Sequence, residues 1–157
     1  KRGTSMAFLV LDDRTSRLEV SLFSEAFEQY GGKISKDALL VVEGEIQQDE
    51  YNGGMALRAS RILTVDEARQ RFSRVLHLDF STAPLPEDFN LRLKHVVEKH
   101  RADHQVTNQE CPIVLSYQHA GAVAKIALGE KWRVQVCESL LQSLAQSFGQ
   151  DRVTLQY

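Results

Sequence analysis

The stretch MAFLVLDDRTSRLEVSLF, residues 6–23, decides how the first half of this chain folds. Met6, Phe8 and Val10 alternate with Ala7, Leu9 and Leu11, so an extended segment here is apolar on both faces. The turn formers of DDRTSR follow, and then Leu18, Val20 and Leu22 alternate with Arg17, Glu19 and Ser21. The pattern predicts a hairpin whose first strand is central and covered on both sides. Its second strand is half exposed, with Arg17, Glu19 and Ser21 outward.

Downstream, Ser24 is placed to cap a short helix in which Phe23, Ala26, Phe27, Tyr30 and Ile34 recur at helical spacing, with Gly31 and Gly32 loosening its end. ALLVVEGEIQQ (38–48) reads as a strand, DEYNGG (49–54) as a turn and MALRASRILT (55–64) as the returning strand. On that strand Arg58 and Ser60 share one face, and Leu57, Ala59 and Arg61 the other. Strand, strand, helix, strand, strand is most of an OB-fold barrel with its first strand missing. Lys1-Arg2-Gly3 then reads as the turn between the absent first strand and the second, so the chain is expected to open inside a domain, with an unpaired edge along residues 6–11.

VDEARQRF (65–72) is a short polar helix and reads as a connector. A second unit opens with the strand RVLHLDFS (74–81), and APLP (83–86) leads into a helix from Glu87 to Arg101 with Leu85, Phe89, Leu93, Val96 and Val97 on one stripe. ADHQVTNQE (102–110) is a loop, after which CPIVLSY, AVAKIALG and KWRVQV read as three antiparallel strands. A last helix turns Leu140, Leu141, Leu144, Ala145 and Phe148 inward and is capped by Gly149, and RVTLQY (152–157) is the closing strand. The expected architecture is two small domains: a partial all-β OB-fold barrel over 1–65, a connecting helix over 66–73, and an α+β domain over 74–157 with helices packed on a mostly antiparallel sheet.

Length and composition bound the function. The chain has 157 residues, 43% of them hydrophobic, which is enough for real cores. Its net charge of -2 supplies no global basic field, so nucleic-acid contact must come from a local patch. No apolar run approaches the ~18 residues that span a bilayer and no signal peptide opens the chain, so the reading is cytoplasmic, with no membrane partner.

Cys111 and Cys137 have no neighbouring ligand at metal spacing, and His95, His100 and His104 do not share one helical face, so neither a zinc site nor a disulfide is expected. YNGGM joins two strands and carries no phosphate-loop motif. Asp12 and Asp13 read as turn chemistry, because neighbouring strand residues point to opposite faces. Ser116 and His119 lack a nucleophile elbow. No catalytic residue, metal or cofactor is assigned, and a binding module is expected.

OB barrels hold single strands on the face of strands two and three and with the loops flanking it. The candidates on those elements are Lys1, Arg2, Arg14, Arg17, Tyr51 and Arg58: cations for the phosphate backbone and an aromatic for stacking. The terminal strand, with Arg152, Val153, Leu155 and Tyr157, either closes the second sheet or serves as a linear motif for a partner's pocket.

KRG, LDDRTSRLEVSLF, DEARQRF, KWRV and the terminal RVTLQY together resemble the C-terminal end of the alpha subunit of bacterial replicative DNA polymerase III. The resemblance runs over the whole chain and is strongest in the first 72 residues. It implies an OB domain placed near single-stranded template DNA, with its basic loop mapped onto Lys1 and Arg2. It also implies a last domain that binds the tau subunit of the clamp loader. The terminal strand, Arg152 to Tyr157, is linked in the same family to tau and to the sliding clamp, although Thr154 and Gln156 stand here in place of acidic residues. The parent enzyme it resembles is a DNA-directed DNA polymerase, whose metal-binding aspartates lie outside this stretch. An OB-containing tRNA-binding appendage and a structural spacer are the alternative readings.

Overall fold

The computed structural model describes residues 6–48, 53–100 and 110–157. The chain divides into two compact units, one ending at Val65 and one beginning at Asp66. The turn expected at Lys1-Arg2-Gly3 and most of the two loops expected near residues 50 and 105 lie outside the described residues.

In the first unit, β1 (Ala7–Asp12) and β2 (Arg17–Leu22) form the expected hairpin, α1 (Ser24–Tyr30) follows, and β3 (Leu40–Gln48) and β4 (Met55–Thr64) pair antiparallel. The strand order is β1-β2-β4-β3, with β2 and β4 parallel through Val20 opposite Leu57. Val20, Leu22, Leu57, Ala59 and Ile62 form the core, onto which Leu9, Leu11, Phe27 and Tyr30 pack. Each fully buried aliphatic side chain contributes roughly 1.5–3 kcal/mol relative to exposure. At the bulge between Glu43 and Gly44 the strands approach so closely that a Cβ on Gly44 would overlap the Arg58 carbonyl.

Three expectations for this unit are corrected. Among the described residues the sheet ends at β1 and β3 and is not a closed barrel, since neither outer strand has a second partner. β1 is the edge strand expected along residues 6–11, but it is covered on one face and not on both: its residues alternate half-buried and exposed, with Phe8 75% and Val10 60% exposed. The start of α1 also differs. Phe23, with extended backbone, occupies the N-cap position, Ser24 makes no cap, and Phe23 lies partly exposed.

The second unit contains α2 (Val65–Phe72, its first residue belonging to the preceding unit), β5 (Val75–Phe80), α3 (Phe89–Lys99), β6 (Ile113–His119), β7 (Ala122–Ala127), α4 (Glu138–Phe148) and β8 (Val153–Gln156). The sheet order is β7-β6-β5-β8. β5 runs parallel to β6 and antiparallel to β8, and the β6–β7 hairpin turns at Ala120 and Gly121. Leu76, Leu78, Phe80, Ile113 and Leu115 of the sheet share a core with Phe89, Leu93, Val96 and Val97 of α3 and Leu140, Leu144 and Phe148 of α4. At its centre Phe80, Phe89 and Phe148 meet with ring centroids 5.1 to 5.9 Å apart. Gly149 ends α4 as expected, at φ 102°, a conformation open to glycine.

KWRVQV is not a ladder strand. Glu130–Trp132 forms a single 3₁₀ turn, and the extended segment after it makes one isolated bridge, Cys111 to Val134. Val134 and Val136 are buried, so the alternation is real, but it serves packing without a neighbouring strand to pair with. The helix read as a connector is likewise fastened into this unit: Arg69 pairs with Glu138 at 2.7 Å, and Asp66 accepts the Glu138 N–H. No helix among the described residues is long and apolar enough to cross a membrane.

Candidate nucleic-acid interface

Strand register places the side chains on the uncovered face of the first sheet in rows. One row runs Phe8, Ser21, Arg58, Glu45, and the next runs Val10, Glu19, Ala56, Gln47. Residues directly opposite in neighbouring strands share a face, so Phe8 and Arg58 lie on the same surface, separated by the small Ser21. Arg58 bends over the ring of Phe23, its guanidinium carbon 4.7 Å from the centroid. Phe23 sits at the start of α1 and Phe8 on the outermost strand. The face thus carries two accessible aromatic rings and a guanidinium held over one of them, the chemistry on which unpaired bases stack.

The β1–β2 turn borders this face. Arg14 adopts φ 69°, and Asp12 and Asp13 organise the turn around it. Asp12 Oδ1 accepts the Arg14 N–H at 2.8 Å, and its Oδ2 pairs with Arg17 Nε at 2.9 Å. Asp13 Oδ1 accepts from the Thr15 hydroxyl and from the Thr15 and Ser16 N–H groups at 2.7 to 2.9 Å. The Thr15 hydroxyl and these backbone donors hold the Asp13 carboxyl down at about 2. The two aspartates are turn chemistry, as their sequence implied. Arg17 and Arg58 stand among Asp12, Glu19 and Glu45, so the attraction this face offers a phosphate is local.

Of the candidates read from sequence, Arg14, Arg17 and Arg58 fall on or beside this face, whereas Lys1, Arg2 and Tyr51 lie outside the described residues. Phe8 and Phe23 were missed as surface residues, because alternation and helical spacing both assign them to a core. In the second unit, Val153 and Leu155 pack half-buried against the core, and the Arg152 guanidinium lies 4.9 Å from the Phe80 centroid. Tyr157 alone of that group is largely exposed, at 63%. Ser116 pairs with His77 rather than His119, Nε2 to Oγ 2.7 Å, and is 2% exposed. No group of three or more acidic, histidine or cysteine side chains among the described residues could hold a metal ion.

Comparison with known proteins bears on each unit as a whole. Residues 1–65 match the family described as OB-fold nucleic acid binding domain, and residues 92–149 match DNA polymerase III subunit alpha, C-terminal domain. Over all 157 residues the chain is 41% identical to the DNA polymerase III subunit alpha of Pseudomonas aeruginosa, covering 13% of that protein. It is 36% identical to the one from Vibrio cholerae and 33% to the one from Escherichia coli K12, again over the whole chain and 13% of each relative. An OB-fold unit followed by an α+β unit, each matching its own family and both spanned by one continuous relative, means that the chain belongs to the C-terminal region of the bacterial DNA polymerase III alpha subunit.

Proposed function

We propose that this chain is a non-catalytic part of a replicative polymerase subunit, contacting single-stranded template DNA through its OB-fold unit and docking the tau subunit of the clamp loader through its α+β unit. The observation that carries the first half is the shared face of Phe8, Arg58 and Phe23 on a unit that matches a nucleic-acid-binding OB-fold. Bases stack on the rings while Arg14 and Arg17, beside the face, meet the phosphate backbone. Because acidic side chains stand among these cations, the contact is weak and strongly salt dependent. That suits a strand that must keep moving.

Family membership supports the second half, and in this reading Tyr157 and the terminal strand lie near the tau and sliding-clamp contacts. The chain works in the cytoplasm, needs no cofactor of its own, and serves a nucleotidyltransferase whose chemistry is performed elsewhere. Fluorescence titration with an oligothymidylate, a folded RNA and the tau subunit tests the whole reading. Binding of the oligothymidylate and of tau is expected. Tighter binding of folded RNA than of the single strand would replace the reading with a tRNA-binding appendage, and binding of none of the three would leave a spacer.

A further inference from the structure

Among the described residues β7 is the last strand of the second sheet, and all six of its residues are exposed. Its hydrogen-bond phase follows from the hairpin. The Leu128 N–H reaches the Ile113 carbonyl at 2.9 Å, so alternation places Ala122, Ala124 and Ile126 in bonds to β6. The N–H and C=O groups of Val123, Lys125 and Ala127 therefore point to the free side of the strand. The side chains near that edge are small except for Val123, Lys125 and Ile126, so another backbone can approach closely.

The row through Lys125 is also informative. Register sets Asp79 beside Ser116 and Ser116 beside Lys125 on the face opposite the one that packs against α3 and α4. Lys125 ends this row and is the sole charge of β7. Asp79, two strands away, is bonded to the Ser81 N–H at 2.8 Å and feels Lys125 only as a lesser, through-space attraction behind its Ser81 hydrogen bonds. A strand laid along β7 would thus meet a cation at one position and, two residues along, the 58% exposed Val123. A second copy of β7 does not supply the complement. It contains no carboxylate, and its two fullest symmetric antiparallel registers set Lys125 against Lys125 or against Val123.

We propose that β7 accepts an extended segment of a partner protein as a fifth strand, carrying a carboxylate opposite Lys125 and an apolar residue two positions away opposite Val123. Main-chain bonds to the free edge hold the segment, and the charge pair fixes its register. The inference rests on the docking role proposed for this unit, assigns the segment to tau, and adds to the terminal strand β8 a second tau contact at the opposite edge of the same sheet.

The test uses the full natural chain and purified tau in calorimetry, with amide hydrogen exchange of the complex. Lys125→Glu is expected to weaken tau binding by about tenfold or more, because it sets like charges opposite each other, while Lys125→Arg stays within about twofold. In the complex the amides of Val123, Lys125 and Ala127 become protected. Those of Ala124 and Ile126, protected beforehand, show that the variants keep the hairpin. Equal tau binding by Lys125→Glu without new protection at the three outward amides overturns strand addition and leaves tau docking standing. No tau binding by the unaltered chain overturns the docking reading and the inference with it.

Discussion

Asp66 on α2 caps α4: its Oδ1 accepts the Glu138 N–H at 3.0 Å, at a helix start where Cys137 offers no side-chain cap. The same carboxylate pairs with Arg69 at 3.1 Å, and Arg69 pairs with Glu138. A helix end leaves several N–H groups without intrahelical partners, and a carboxylate there also meets the positive end of the helix dipole. Asp66→Ala is expected to destabilise the second unit by about 1 kcal/mol in chemical denaturation, the usual magnitude for a lost cap. Asp66→Asn, which keeps an acceptor, should lose less. Equal losses would mean that the ion pairs, rather than the cap, carry the effect.

Gly44 sits where β3 bulges against β4. A methyl group there would overlap the Arg58 carbonyl and lie 2.9 Å from the Arg58 carbonyl carbon, with no flexible side chain to yield. Gly44→Ala should therefore destabilise the first unit by about 1–3 kcal/mol, as overpacking does. Amide exchange is expected to accelerate across β3 and β4 while β5 and β6 are unchanged. Gly54→Ala is the control, because its Cβ would meet nothing within 4 Å.

Much of the architecture was legible where one period and one partner coincide. Leu76, Leu78 and Phe80 alternate and are buried on one face of a strand that has neighbours on both sides. Val134 and Val136 alternate just as well and are just as buried, yet they form no ladder strand. Periodicity reports which side chains are inward and says nothing about whether a partner backbone lies alongside. The same limit hid the candidate face. Phe8 and Val10 belong to a two-sided apolar run, and nothing in the run reveals which side stays uncovered. Ser116 and His77 lie 39 positions apart, and only the parallel register of β5 and β6 brings them together.

The β1–β2 turn makes a prediction about acid. Asp13 titrates at about 2 in the folded chain, below its ordinary value of 3.8, because the Thr15 hydroxyl and the Thr15 and Ser16 N–H groups favour its charged form. A carboxyl lowered on folding adds stability that is fully present above the ordinary value and is lost as pH falls through the folded one. The turn should thus hold at pH 5 and loosen between about pH 4 and pH 2. A carboxyl-carbon NMR titration should give Asp13 a midpoint near 2, moving up toward 3.8 in Thr15→Ala. A midpoint unmoved by that substitution would show that the hydroxyl does not hold the proton off.

Stacking and charge on the candidate face separate by their salt dependence. Phe8 is 75% exposed and Arg58 lies one row position beyond Ser21, so both can meet one strand of DNA, but by different physics. Each phosphate neutralised on a single strand releases counterions and contributes about 0.7 to the slope of log affinity against log salt. A base stacked on a ring contributes roughly 1–3 kcal/mol with almost no salt dependence. Phe8→Ala should therefore weaken oligothymidylate binding at every salt concentration and leave the slope unchanged. Arg58→Ala should flatten the slope by about 0.7 if the guanidinium meets a phosphate. If Arg58 instead acts by holding the Phe23 ring 4.7 Å beneath it for a base, Arg58→Ala will behave like Phe8→Ala, and Phe23→Ala will reproduce it. An affinity unchanged in all three variants would remove this face from the path of the strand.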